Sequence, residues 1–156
     1  MKNRSRSRVA LITISVVLFL GLAYGAGANR GAFRKGLEGA AKELYEKGEK
    51  AADAENFAEA LGYFEKAAEA APEDPDVLNM LAYSQRKLGK IDEALENYHH
   101  ALELRPEFPE AREYLGEAYI QAALREIEIL GSYGSEAEEP REELIEAFKK
   151  AAAGLE

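Results

Sequence analysis

Ile91 to Pro106 reads IDEALENYHHALELRP, and thirty-four residues earlier Phe57 to Pro72 reads FAEALGYFEKAAEAAP. At that offset Glu59 matches Glu93, Ala60-Leu61 matches Ala94-Leu95, and Phe64 meets Tyr98. Ala67 matches Ala101, Glu69 matches Glu103, and Pro72-Glu73 matches Pro106-Glu107. A fixed period with small, aromatic and proline positions in constant order predicts stacked helix-turn-helix units that bury a continuous core.

Working outward, the first unit opens with a helix from Leu37 to Ala54. Leu37, Ala41, Leu44, Gly48 and Ala51 fall on one face at steps of three and four. Glu55-Asn56 makes a turn. A second helix, Phe57 to Ala71, aligns Ala60, Phe64 and Ala67, and Pro72 stops it because proline cannot donate to the helical ladder. In the second unit Leu78, Leu81 and Ala82 precede a turn at Gly89, and Ile91, Ala94, Tyr98 and Ala101 follow. A third unit begins at Pro109 with Leu115, Gly116 and Tyr119. The turn expected near Ala123 is missing, and apolar periodicity continues through Leu124, Ile127 and Leu130. One long helix, Glu110 to Leu130, is therefore predicted. A polar loop over 131–139 follows, then a last helix, Pro140 to Ala153. That helix carries Leu144, Phe148 and Ala151 in the register of a unit's second helix, after an insertion of roughly 16 residues. It also serves as the cap an exposed repeat end needs.

These residues resemble the tetratricopeptide repeat (TPR) family. The resemblance implies an all-α fold: a TPR-like helix-turn-helix superhelix of about three repeats, at 41–74, 75–108 and 109–156. The last holds the insertion and the capping helix. Departures from the family pattern are Gln85 and Ala51 at usual aromatic positions and Lys47 at a usual leucine, so looser packing is expected in the first repeat. The family lines its concave groove with the first helix of each repeat. Carried over by position, the groove holds Tyr45, Glu49 and Asp53, then Asn79, Tyr83 and Arg86 with Lys87 beside it, then Glu113, Glu117 and Gln121. Arg86 is expected as an exposed positive spot for a partner's carboxylate. The Lys/Asn/Arg clamp with which one subfamily holds chaperone termini is absent, since its positions hold Tyr45, Glu49 and Asn79. A competing contact is the stripe Leu124, Ile127 and Leu130.

The N-terminus has another character. Residues 1–8 carry Lys2, Arg4, Arg6 and Arg8, and Val9 to Ala28, VALITISVVLFLGLAYGAGA, has no charge. Twenty residues at ~1.5 Å each span about 30 Å, the thickness of a bilayer core. This predicts a transmembrane or signal-anchor helix over 9–28, a cytoplasmic leader, an extracytoplasmic body and a linker at 29–40. Gly21 and Gly25 form a G-x-x-x-G spacing on which membrane helices pack. The alternative is a cleaved signal peptide ending at Ala28, which leaves a soluble exported or periplasmic protein.

Net charge is −9, and the four basic residues of the leader leave −13 on the rest. An acidic body repels nucleic acid, which is excluded as a partner. There is no cysteine, so disulfides and thiolate chemistry are excluded. No phosphate-binding, nucleophile-elbow or zinc-protease motif occurs. His99 and His100, the only histidines, point ~100° apart on a helix and cannot share a metal side by side. No catalytic residue, cofactor, metal or small-molecule substrate is expected. The sequence predicts a non-catalytic, membrane-tethered interaction scaffold, an accessory or assembly subunit of a membrane protein complex. The alternative is a soluble exported adaptor for a peptide segment.

Overall fold

The computed structural model describes residues 37–153. The basic leader, the apolar segment 9–28 with Gly21 and Gly25, the position after Ala28 and most of the linker lie outside the described residues. Among the described residues six α-helices follow one another: α1 (Gly39–Asp53), α2 (Phe57–Ala70), α3 (Pro75–Lys87), α4 (Ile91–Leu104), α5 (Pro109–Ser132) and α6 (Glu138–Ala153). A short 3₁₀ turn, Gly134–Ala137, joins the last two. α1 packs on α2 and α3 on α4, while α2 and α4 also adjoin the opening helix of the next unit.

The turns explain the punctuation. α1 and α3 end in the same motif: Glu55 N–H bonds Ala52 and Asn56 N–H bonds Ala51, as Gly89 N–H bonds Arg86 and Lys90 N–H bonds Gln85. This closing motif requires a left-handed residue, and Glu55 (φ 58°) and Gly89 (φ 77°) supply it one period apart. The next period lands on Ala123, where no left-handed residue breaks the chain. α5 therefore runs straight on to Ser132. α3 begins where Asp74 accepts from the N–H groups of Asp76 (3.0 Å) and Val77 (3.1 Å), with Pro75 in the first turn.

The core repeats with the sequence. Ala60, Phe64 and Ala67, and again Ala94, Tyr98 and Ala101, are fully buried. Burying each ring contributes roughly 1.5–3 kcal/mol. Gly48 has no side chain because a Cβ there would lie 2.7 Å from the Phe64 ring. Ala82 is the matching residue in the second unit and is also fully buried. At the departures Lys47 and Ala51, a cleft of about 330 Å³ opens, lined also by Lys50, Ala54, Asn56, Glu59 and Tyr63.

The third unit differs in its second half. The expected loop over 131–139 is shorter, because α6 already begins at Glu138. α6 buries none of its residues: Leu144 and Phe148 are half-buried and Ala151 is exposed. Gly116, one period beyond Ala82, has nothing within 4 Å of where a Cβ would stand. Ile127, expected on an open stripe, is buried, whereas Leu124 is exposed and Leu130 half-buried. Within the second unit, the Arg105 guanidinium donates twice to Asp76, at 2.9 and 2.7 Å, and rests on the Phe108 ring at 4.6 Å. Arg125 of α5 pairs in the same forked way with Asp92 of α4.

Candidate protein-binding groove

The residues expected to line the groove come from α1, α3 and α5, and the structure separates them into two kinds. Tyr45 is buried, its ring edge-on to Phe64 at 5.6 Å. It belongs to the core of the first unit rather than to an open wall. Glu49 is buried as well, and Asp53 is exposed. Asn79 is 4% exposed, and its Oδ1 accepts no hydrogen bond from the protein. Glu113 and Glu117 are exposed and Gln121 is half-buried.

Arg86 overturns the expectation of an open positive spot. It is only 6% exposed. A buried guanidinium needs compensation, and this chain supplies it. Nη2 stands 2.6 Å from Glu117 Oε2 on α5, and Nε lies 3.5 Å from the Tyr98 hydroxyl on α4. The rings of Tyr83 and Tyr114 flank it, with centroids 5.5 and 5.7 Å away. The carboxylate expected from a partner is thus already present within the chain. Burial also pushes the Tyr98 hydroxyl well above the usual phenol range, although the neighbouring Arg86 works the other way.

Around Arg86 the structure assembles an aromatic run that the repeat offset did not single out. Phe57 meets Tyr83 edge-on at 5.8 Å, Tyr83 meets Tyr114 at 5.2 Å, and Tyr114 meets Tyr98 at 6.3 Å. Lys87, exposed at the end of α3, holds its ammonium 5.0 Å from the Phe57 ring and 5.9 Å from that of Tyr83. Such cation–ring contacts contribute about 0.5–1 kcal/mol at exposed sites. The offset aligns Tyr114 with Met80, outside the groove row, and Phe57 opens a second helix. Only the stacking of three consecutive units brings them beside Tyr83. Asp53, Tyr83, Lys87, Glu113, Glu117 and Gln121 are the groove residues left accessible in whole or part. Among them Lys87 stands over the Phe57 and Tyr83 rings, and Glu117 pairs with the neighbouring Arg86.

No helix among the described residues is long and apolar enough to cross a membrane. No group of three or more histidine or acidic side chains there could hold a metal ion.

Comparison with known proteins agrees with the fold. A family model described as TPR repeat matches residues 82–122, and one described as tetratricopeptide repeat matches residues 51–96. No curated protein matches the chain. Among solved structures, the TPR domain of Sgt2 from Aspergillus fumigatus superposes with a TM-score of 0.52 at 24% identity, over 74% of this chain and 83% of that one. Repeats of this kind form protein–protein interaction scaffolds and typically serve in non-catalytic adaptors. The 34-residue period, the paired helices and both family models agree that residues 51–122 are tetratricopeptide repeats.

Proposed function

We propose that the chain is a membrane-tethered scaffold that presents its repeat domain outside the cytoplasm and holds a protein segment belonging to a membrane complex. The observation that carries the reading is the twenty-residue uncharged segment Val9 to Ala28, directly behind four basic residues and ahead of an acidic interaction domain. The segment held in the groove is one with an acidic or apolar anchor over Lys87 and Tyr83, flanked by basic residues facing Glu113 and Glu117. Opposite charges guide such docking, and like charges exclude acidic competitors.

Two experiments test this. The native chain should stay with membranes through a carbonate wash and retain the N-terminal Met1. A mature chain starting at Asn29 would refute tethering and establish the soluble exported adaptor. In the second, affinity capture from solubilised membranes is compared for wild type, Tyr83→Ala with Lys87→Glu, and Leu124→Asp. Loss of one membrane-complex partner in the groove variant alone supports the groove. Loss only in Leu124→Asp moves the contact to the long helix α5.

A further inference from the structure

α5 displays one half of a contact that the first two units complete. In the first, the Phe64 ring of α2 fills the space over Gly48 of α1. In the second, Tyr98 holds the same repeat position opposite Ala82, and both are fully buried. In the third, Gly116 has the small residue and nothing above it. Ile120 and Leu124, at four-residue steps from Gly116 and so on the same face, are 48% and 43% exposed. Tyr119 is occupied on another side, where its hydroxyl lies 2.7 Å from Nε2 of His99 on α4.

The matching half also exists in the chain. Leu144, Phe148 and Ala151 on α6 stand in the register of Ala60, Phe64, Ala67 and of Ala94, Tyr98, Ala101. α6 cannot bring them to its own Gly116. Its Arg141 side chain lies against Gly131, within 3.1 Å of a Cβ position there. Even if α6 ran straight back along α5 from that point, Phe148 would come level with Leu124. Gly116 lies eight residues further on, ~12 Å at the helical rise. The side chains built for the slot are accordingly left half-buried or exposed, and none is buried.

We infer that the occupant of the Gly116 slot is α6 of a second copy of this chain. Phe148 of each copy enters over Gly116, Ile120 and Leu124 of the other, so that both third units are completed in trans across a two-fold axis. Two identical contacts related in this way are what an isologous dimer requires. Charge favours the match: Lys150 follows Phe148 on α6 and Glu113 precedes Gly116 on α5, while Lys149 and Glu117 lie beside them, already paired within the chain with Glu146 and Arg86. Lys149, Lys150, Glu113 and Glu117 are each exposed. This inference rests on the repeat geometry and is independent of membrane tethering.

The test is sedimentation equilibrium on the full chain in detergent and, in parallel, on residues 34–156, which form a compact unit of their own. Both should shift from monomer to dimer mass as concentration rises. Gly116→Leu fills the slot, and Phe148→Ala removes its occupant; each alone should lose the dimer. Leu is the better helix former and Gly116 is exposed, so the first variant keeps the fold; circular dichroism checks both. Mixing the two variants should restore a weaker dimer, held by one of the two contacts, because one supplies an open slot and the other an intact α6. A monomer at every concentration, a dimer indifferent to both substitutions, or a mixture that stays monomeric would each overturn the inference. Saturable binding of a synthetic IDEALENYHHALEL helix to a chain that remains monomeric would overturn it too, giving the slot to a foreign helix.

Discussion

Arg86 Nη2 on α3 lies 2.6 Å from Glu117 Oε2 on α5, with the arginine side chain buried and the glutamate 48% exposed. The pair joins the second unit to the third through the groove, so a residue suited to gripping a partner is committed to holding the superhelix together. Replacing Glu117 by Gln should leave a buried cation with a weaker acceptor. The exposed half of the pair is screened by solvent, so the expected loss is about 1–2 kcal/mol rather than the larger figure for a fully buried pair. Chemical denaturation of wild type, Glu117→Gln, Arg86→Met and the double variant gives the coupling. Additive effects would show that the contact adds nothing.

The same geometry makes Arg86→Glu a poor probe of binding. It would place a carboxylate opposite Glu117 beneath the rings of Tyr83 and Tyr114, and the melting midpoint should fall sharply. Lys87→Glu, at an exposed position, changes the groove charge without that cost, and its midpoint should move little. Thermal melts of the two variants side by side check this. Equal midpoints would mean that the burial of Arg86 is without consequence.

Tyr98 supplies a pH dependence. Its folded pKa is raised, chiefly by burial, above the unfolded phenol value near 10. A raised folded pKa means the stabilisation is fully present below pH 10. It is lost as pH climbs from there towards the folded value, because only the unfolded chain ionises in that window. Stability measured from pH 8 to 11 should therefore decline more steeply in wild type than in Tyr98→Phe. Parallel curves would show that Tyr98 ionises as readily folded as unfolded.

How far the sequence could be read follows from which contacts are local. The helices, their turns and stops and the long α5 were legible, because Gly89, Pro72, Pro106 and the missing turn residue at Ala123 act within a few positions of themselves. The burial of Ala94, Tyr98 and Phe64 was legible from the period. The groove was only partly so. The repeat offset says which helix faces inward, but not how closely the next unit closes over it. Arg86 and Asn79 are buried and Tyr45 is drawn onto Phe64 by packing between helices. The Phe57–Tyr83–Tyr114 run joins three units at unrelated repeat positions, so no periodic signal marks it. α6 carries the right register at the wrong distance, since register repeats along a helix while the reach from Gly131 back to Gly116 depends on the length of α5.

Glu55 and Gly89 hold the same left-handed turn, yet only one is glycine. A side chain in that conformation costs about 1 kcal/mol, which glycine avoids. Glu55→Gly should raise stability by about 0.5–1 kcal/mol, and Gly89→Glu should lower it by a similar amount. Urea unfolding of both variants checks the pair. Shifts of the same sign would rule out turn strain as the cause.

Gly48 and Gly116 occupy one repeat position, and their replacement by alanine should have opposite effects. Alanine is the better helix former by about 1 kcal/mol in a helix interior. At Gly116 nothing stands within 4 Å of the added methyl, so that gain should appear undiminished as higher stability. At Gly48 the methyl would meet three atoms of the Phe64 ring at 2.7–2.9 Å. The ring is fully buried between helices and also touches Tyr45, so it has no open side into which to withdraw. Overpacking of this kind costs about 1–3 kcal/mol and outweighs the propensity gain. Denaturant midpoints for Gly48→Ala and Gly116→Ala in the residue 34–156 unit, at a concentration that keeps it monomeric, should move apart around wild type, the first down and the second up. Two upward shifts would mean that α1 and α2 are not in contact at Gly48; two downward shifts would mean that the Gly116 face is covered within the single chain.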